Sequence, residues 1–131
     1  MLAPVSQLLP TLPARILDVG AGTGRDAAWL AAQGHQVVAV EPVHELRRAG
    51  MALHPTGNIE WLDDRLPRLE RLRRTSDKFD LILVIAVWQH LRREEQSASI
   101  NTLARVAAAE GRLILSLRHG PGLPSRRCFP A

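Results

Sequence analysis

Short apolar segments alternate with amphipathic segments along most of this chain. The apolar segments are almost uninterrupted, which is typical of parallel strands buried on both faces of a sheet. The amphipathic segments place apolar residues three and four positions apart, which indicates helices with one buried face. The pattern predicts strands at 14–19, 36–41, 59–62, 79–87 and 112–117, and helices at 25–33, 43–53, 67–74 and 94–109.

Strands that alternate with helices indicate an α/β fold, here a doubly wound, Rossmann-like parallel sheet. Right-handed crossovers between successive strands predict the strand order 3-2-1-4-5. The 131 residues contain no repeat, linker or low-complexity segment, so a single domain spanning 1–131 is expected. Ligands of such sheets bind beyond the carboxyl ends of the strands, next to the point where the strand order reverses.

A glycine-rich turn follows the first predicted strand, with the sequence Asp18-Val-Gly20-Ala-Gly22-Thr-Gly24. Glycines at alternate positions leave the turn without side chains, so a ligand can approach the backbone N–H groups at a helix N-terminus. Glu41 follows Gly20 by 21 positions, at the end of the second predicted strand. A carboxylate there can accept hydrogen bonds from a ribose diol. The segment predicts a nucleoside-bearing ligand, with Glu41 at an open strand end where it contributes little to folding.

This combination resembles the class I S-adenosylmethionine-dependent methyltransferases. The resemblance implies S-adenosyl-L-methionine as the cofactor and S-adenosyl-L-homocysteine as the product, with Asp18 beside the methionine part. Cofactor contacts from the first two strand ends would then involve Asp18, Gly20, Ala21, Gly22, Gly24, Glu41 and Pro42. Dinucleotide-binding proteins are the nearest alternative, but their fingerprint is G-x-G-x-x-G rather than the G-x-G-x-G found here.

Two adjacent acids, Asp63 and Asp64, follow the third predicted strand. By the same resemblance, Asp63 would accept the exocyclic amine of adenine and Asp64 would present its backbone N–H to the ring. The alternative is that both are turn residues, since Asp favours turns and caps. No third candidate ligand lies on this loop to complete a metal site, so no metal is expected.

The fourth predicted strand ends in Ile85-Ala86-Val87-Trp88-Gln89-His90. The resemblance implies that Ile85 and Ala86 contact the cofactor and that Trp88 and His90 face the substrate. Packing remains an alternative for both, although a histidine side chain can also serve as a general base. The Asn/Asp-Pro-Pro-aromatic motif of enzymes that methylate nucleic-acid bases or glutamine amides is absent, which counts against those substrates.

The composition limits the kinds of partner and the location that are expected. The net charge is +4, and all but one of the 17 basic residues are arginines spread along the chain, so no nucleic-acid partner is expected. No apolar run is long enough to span a bilayer. No basic residue precedes the apolar N-terminal stretch, so that stretch is not expected to be a secretory signal. The single cysteine, Cys128, excludes an internal disulfide framework and favours a cytoplasmic location.

Both ends of the chain are short for the family that it resembles. Residues 1–13 are a reduced N-terminal segment, and the Pro/Gly-rich tail, 118–131, is expected to lack the final antiparallel strand pair. The last predicted strand would then be an open edge, suited to self-association. Arg118 and His119 would form half of an acceptor pocket. The chain is either a fragment or a minimal member completed by a partner.

The predicted function is methyl transfer to a small-molecule acceptor by direct in-line displacement, with little activity from this short chain alone. Two alternatives stay open: a cofactor-binding domain that is catalytically incomplete or regulatory, and a nicotinamide-dependent oxidoreductase domain. The general base, if one is used, is expected to be His90.

Overall fold

The computed structural model describes residues 12–85, 87–118 and 124–130. Helices and strands alternate through most of this range, with a short 3₁₀ helix at Trp88–His90. In chain order the elements are β1 (Arg15–Val19), α1 (Arg25–Ala32), β2 (Gln36–Val40), α2 (His44–Leu53), β3 (Ile59–Leu62), α3 (Glu70–Arg73), β4 (Phe79–Ile85), α4 (Arg93–Val106), β5 (Ala107–Arg118) and β6 (Pro124–Pro130).

The strands form one sheet in the order β3-β2-β1-β4-β5-β6. The first five pair in parallel, so the predicted order 3-2-1-4-5 is confirmed. Two apolar clusters cover the two faces, because neighbouring strand residues point to opposite sides. Ile16 belongs to one cluster and Leu17 to the other, and both are fully buried.

The expected open edge at β5 is wrong. The tail strand β6 pairs antiparallel with β5, from Arg118↔Pro124 to Arg112↔Pro130. Both prolines stand at the ends of an outer strand, where a missing N–H donor costs little, so a proline-rich tail can still form a strand. The β5 edge is therefore not available for the self-association expected from the sequence.

The boundary between α4 and β5 also differs from the prediction. The helix ends at Val106 and the strand begins at Ala107, although the sequence predicted a helix to residue 109. Gly111, expected to end that helix, lies inside β5 where the register shifts against β4. A Cβ at Gly111 would lie 2.7 Å from the Phe79 carbonyl oxygen, so the glycine lets the two backbones approach closely.

Two other elements are shorter than predicted. The strand β4 ends at Ile85 rather than 87, and the 3₁₀ helix follows. The helix α3 covers only Glu70–Arg73, because Leu69 adopts the left-handed conformation (φ 46°) and lies fully buried just before it. In the described parts of the chain, no helix is both long and apolar enough to cross a membrane.

Candidate functional site

A cavity of about 340 Å³ opens at the carboxyl ends of β1, β2 and β4. Its size falls in the range of small-molecule sites, and its place at the reversal of strand order is where such sheets bind ligands. The lining includes six residues that were predicted from the sequence and six that were not: Gly20, Gly22, Glu41, Pro42, Asp64 and Ile85, with Val19, Val40, Leu46, Arg65, Leu66 and Val87.

The glycine loop is held against β2 by backbone hydrogen bonds. The N–H groups of Gly20 and Ala21 both donate to the Val40 carbonyl oxygen, at 2.8 and 3.0 Å. Gly20, Gly22 and Gly24 all have positive φ values, of 76°, 61° and 87°. L-residues with side chains rarely adopt this conformation, so the glycines permit the turn itself.

The surroundings of the three glycines differ. A Cβ on Gly20 would collide with the Val87 side chain, and one on Gly24 would collide with the Trp61 ring. At Gly22 no heavy atom lies within 4 Å of the place where a Cβ would be. Since Gly22 also lines the cavity, it is the glycine whose missing side chain leaves room for a ligand.

Glu41 is buried, with 5% of its surface exposed, and both of its carboxylate oxygens accept hydrogen bonds. Oε1 accepts from the N–H of Gly22 at 2.8 Å, and Oε2 accepts from the N–H of Val43 at 3.0 Å. The carboxylate therefore joins the glycine loop to the end of β2. Glu41 is therefore not at an open strand end as expected, and its two hydrogen bonds predict a contribution to folding.

Asp18 lies in β1, with 3% of its surface exposed, between Ala39 of β2 and Leu83 of β4. Burial raises the pKa of Asp18 from 3.8 to about 7, and the negative charges of Asp26 and Glu41 contribute to the rise. The carboxyl of Asp18 therefore keeps its proton to a higher pH than an exposed aspartate does. A cation placed beside it would favour its charged form.

The two acids after β3 have different environments. Asp64 is buried, and its oxygens accept from the N–H groups of Arg65 (3.0 Å) and Leu72 (2.9 Å), so it is a turn residue that also lines the cavity. Asp63 has a side chain that is 48% exposed and pairs with Arg47. Within the described residues, no group of three or more acids, histidines or cysteines could hold a metal ion.

Arg47 is a residue that sequence reasoning missed. Its Nη1 donates to the Glu41 carbonyl oxygen at 2.8 Å and lies 3.5 Å from Oδ1 of Asp63. The side chain is only 14% exposed. Arg47 precedes Gly50, the buried residue of α2, by three positions, so the two share a helix face. The three-residue spacing from Gly50 was the signal available in the sequence. It distinguishes Arg47 from its neighbour Arg48 only once Gly50 is known to be buried.

The end of β4 is only partly as expected. Ile85 lines the cavity and so does Val87, which was not predicted. Trp88 packs against one of the two apolar clusters, and its carbonyl accepts from Gln96 Nε2 at 3.3 Å, which supports the packing alternative. His90 is exposed and, among the residues that the structure describes, does not line the cavity. Ala86, His119 and the side chain of Arg118 lie outside the described residues.

Comparison with known proteins identifies the family. The model of a family described as "Methyltransferase domain" matches residues 17–115. The chain belongs to this methyltransferase family. The matched range contains the glycine loop, Glu41 and every described residue that lines the cavity.

Two curated relatives are similar to most of this chain, although the chain covers only part of each. An uncharacterized methyltransferase of Mycobacterium tuberculosis is 30% identical over 116 aligned residues, and the match covers 83% of this chain and 42% of that protein. An uncharacterized methyltransferase of Staphylococcus carnosus is 25% identical over 111 residues, or 85% of this chain and 50% of that one. The chain thus spans about half the length of the curated relatives that it matches.

Solved methyltransferase structures share the fold. The 1,6-didemethyltoxoflavin-N1-methyltransferase of Burkholderia thailandensis, solved with its substrate and S-adenosylhomocysteine, is 25% identical with a TM-score of 0.74. That match covers 98% of this chain and 59% of the other. A TehB-like SAM-dependent methyltransferase from Corynebacterium glutamicum is also 25% identical, with a TM-score of 0.72 over 90% of this chain and 60% of the other.

Proposed function

We propose that this chain binds S-adenosyl-L-methionine in the cavity beside the glycine loop and transfers its methyl group to a small-molecule acceptor. The observation that carries the proposal is the open space at Gly22, next to the buried carboxylate of Glu41. Family membership supports the reaction class, and the cavity beside Gly22 supports the position proposed for the cofactor.

The ribose would lie against Glu41. Each oxygen of a carboxylate offers two lone pairs, and each oxygen of Glu41 uses one for a backbone N–H. The remaining lone pairs can accept from the ribose hydroxyls without breaking the bonds that hold the loop. The proposed contact therefore keeps the two hydrogen bonds that join Glu41 to the backbone.

The two ends of the cofactor would meet the two other acids. The ammonium group of its methionine part would stabilise the charged form of Asp18, whose pKa is raised by burial in the unbound protein. At the other end, the half-exposed carboxylate of Asp63 would accept the exocyclic amine of adenine. Asp64 keeps its turn role and can still present its backbone.

The protein contributes alignment rather than a nucleophile. A bound sulfonium supplies an activated methyl group, so the transfer needs an acceptor atom placed in line behind it and the exclusion of water. Ile85 and Val87, at the end of β4, form an apolar wall of the cavity on this side. The expected acceptor contacts remain Trp88, His90, Arg118 and His119, with His90 as the candidate base.

A small-molecule acceptor is supported by the similarity to the 1,6-didemethyltoxoflavin-N1-methyltransferase, whose structure holds bound 1,6-didemethyltoxoflavin. A second candidate function is a cofactor-binding domain that needs further chain or a partner to bind the acceptor. The exposure of His90 and the packing of Trp88 favour it, because neither is among the described residues that line the cavity.

A turnover assay separates the two. The protein would be incubated with methyl-labelled S-adenosylmethionine and a set of small nitrogen, oxygen and sulfur nucleophiles, and labelled product would be counted. Gly22→Val, which fills the cavity, is the negative control. Transfer that is abolished in this variant supports the enzyme, whereas cofactor binding without transfer to any acceptor supports the second candidate.

A further inference from the structure

We propose that Arg47 is a positioning residue that gives the site its preference for a 6-aminopurine over a 6-oxopurine. It would do so by fixing the carboxylate of Asp63 where the exocyclic amine of adenine arrives. This inference rests on the proposed function, because it assigns the adenine end of the cavity to the rim between β2 and β3.

Arg47 is itself firmly anchored. Its Nη1 donates to the Glu41 carbonyl oxygen at 2.8 Å, its Nη2 lies 3.3 Å from Nδ1 of His44, and only 14% of the side chain is exposed. A guanidinium held by two partners has little freedom left. Arg47 therefore presents a fixed positive charge beside the strand end that carries Asp63.

Asp63 is the part of the rim that needs fixing. Its side chain is 48% exposed, and its Oδ1 lies 3.5 Å from Nη1 of Arg47. An exposed carboxylate without this contact would sample several rotamers, and binding an amine would require it to be ordered at that moment. With Oδ1 held by Arg47, the other oxygen, Oδ2, stays available as an acceptor.

The chemistry of the purine then decides selectivity. Adenine presents an amine that donates to Oδ2, whereas hypoxanthine presents a carbonyl oxygen, which a carboxylate repels. Discrimination at a polar site arises because the wrong group leaves a polar partner unsatisfied. The better Asp63 is fixed, the less it can turn away from the wrong purine.

The test measures dissociation constants by calorimetry for S-adenosylhomocysteine and for its deaminated analogue, S-inosylhomocysteine. Wild type is expected to prefer the adenosyl ligand by about tenfold or more. In Arg47→Leu the adenosyl ligand should bind about three- to tenfold more weakly while the inosyl ligand changes little. Arg48→Leu is the matched control, because it removes the same charge from an exposed neighbour on α2.

A double-mutant cycle shows whether Arg47 acts through Asp63. In an Asp63→Ala background, Arg47→Leu should leave the ratio of the two affinities unchanged. Thermal denaturation of each variant shows that the protein is folded. Arg47→Lys is expected to restore only part of the preference, since an ammonium lacks the planar fork of a guanidinium.

The outcomes are distinguishable. If wild type binds neither ligand, the proposed function fails. If wild type prefers adenosine and Arg47→Leu keeps the same preference, the inference is wrong while the proposed function stands. Equal weakening of both ligands would also overturn it, since it would place the effect of Arg47 at Glu41 and the ribose. Tighter binding of the adenosyl ligand would show that Arg47 competes for Asp63.

Discussion

Gly20, Gly22 and Gly24 all have a left-handed backbone conformation, but their surroundings differ. Gly20 leaves room for Val87, Gly24 leaves room for Trp61, and Gly22 borders the open cavity. Open space beside a glycine indicates a ligand site only where that space belongs to a cavity, as it does at Gly22 and not at Gly34. At the scale of single residues, Gly22 is therefore the most direct marker of the site.

Gly22→Val should weaken binding of S-adenosylhomocysteine by about 2 kcal/mol or more, because the side chain would occupy the ligand's space. Gly34→Val is the matched control: Gly34 also has a positive φ (97°) and open space around it, but it follows α1 away from the cavity lining. Both variants should lose stability from backbone strain. Calorimetry should find binding lost only in Gly22→Val, and equal binding in the two would contradict the assignment.

Glu41→Ala should have two effects. Loss of the ribose acceptor should weaken S-adenosylhomocysteine binding by about 1.5–3 kcal/mol. Loss of the acceptor for the N–H groups of Gly22 and Val43 should lower the free energy of unfolding by about 1 kcal/mol or more. Glu45→Ala, on the exposed side of α2, is the control for charge. A fully stable Glu41→Ala protein in urea denaturation would contradict the observed bridging role.

Asp18→Asn should change how stability depends on pH. The folded-state pKa of Asp18 is about 7 and its ordinary value is 3.8, so the folded state holds more protons than the unfolded state between these values. Asp18 therefore costs stability progressively as the pH rises from about 4 to 7.

Urea denaturation at pH 4.5, 6 and 7.5 measures this effect. The advantage of the Asn variant over wild type should grow along that series, on the order of a few kcal/mol at most. A constant difference would refute the raised pKa. Since the cofactor's ammonium would favour charged Asp18, wild-type affinity for S-adenosylhomocysteine should rise over the same interval.

At the scale of elements, the hydrophobic pattern was a good guide where long-range contacts agree with local signals. The predicted bounds of β3 are those observed, and α1 and α2 differ from prediction by one residue. The hydrophobic pattern was wrong where contacts between distant parts of the chain determine the bounds of an element. Gly111 was predicted to end a helix. Its observed position is determined by close packing against the carbonyl of Phe79, which lies 32 positions earlier and cannot be recognised from the local sequence.

The strand β6 is the element that sequence reasoning excluded. A shortened protein that ends at Arg118 would lack β6. The N–H and C=O groups at the edge of β5 would then be unpaired, an arrangement that favours pairing with another chain. Analytical ultracentrifugation should find self-association in this shortened form and a monomer for the full 131 residues. Self-association of both to the same extent would show that β6 does not protect the edge.

For the whole molecule, sheet topology follows from the order of strands and helices, and topology places the site. Six of the eleven cofactor residues predicted from the glycine loop and the strand ends line the cavity. The bonds of Glu41 and the position of Arg47 could not be predicted, because both join segments that meet only in the folded sheet. The acceptor-contacting residues stay predictions.

The most direct test of the central claim is calorimetric titration of the full chain with S-adenosylhomocysteine and, separately, with NAD. Binding of S-adenosylhomocysteine near one equivalent, with none for NAD and none for Gly22→Val, is the predicted result. Binding of NAD without S-adenosylhomocysteine, or binding of neither by folded protein, would contradict the account.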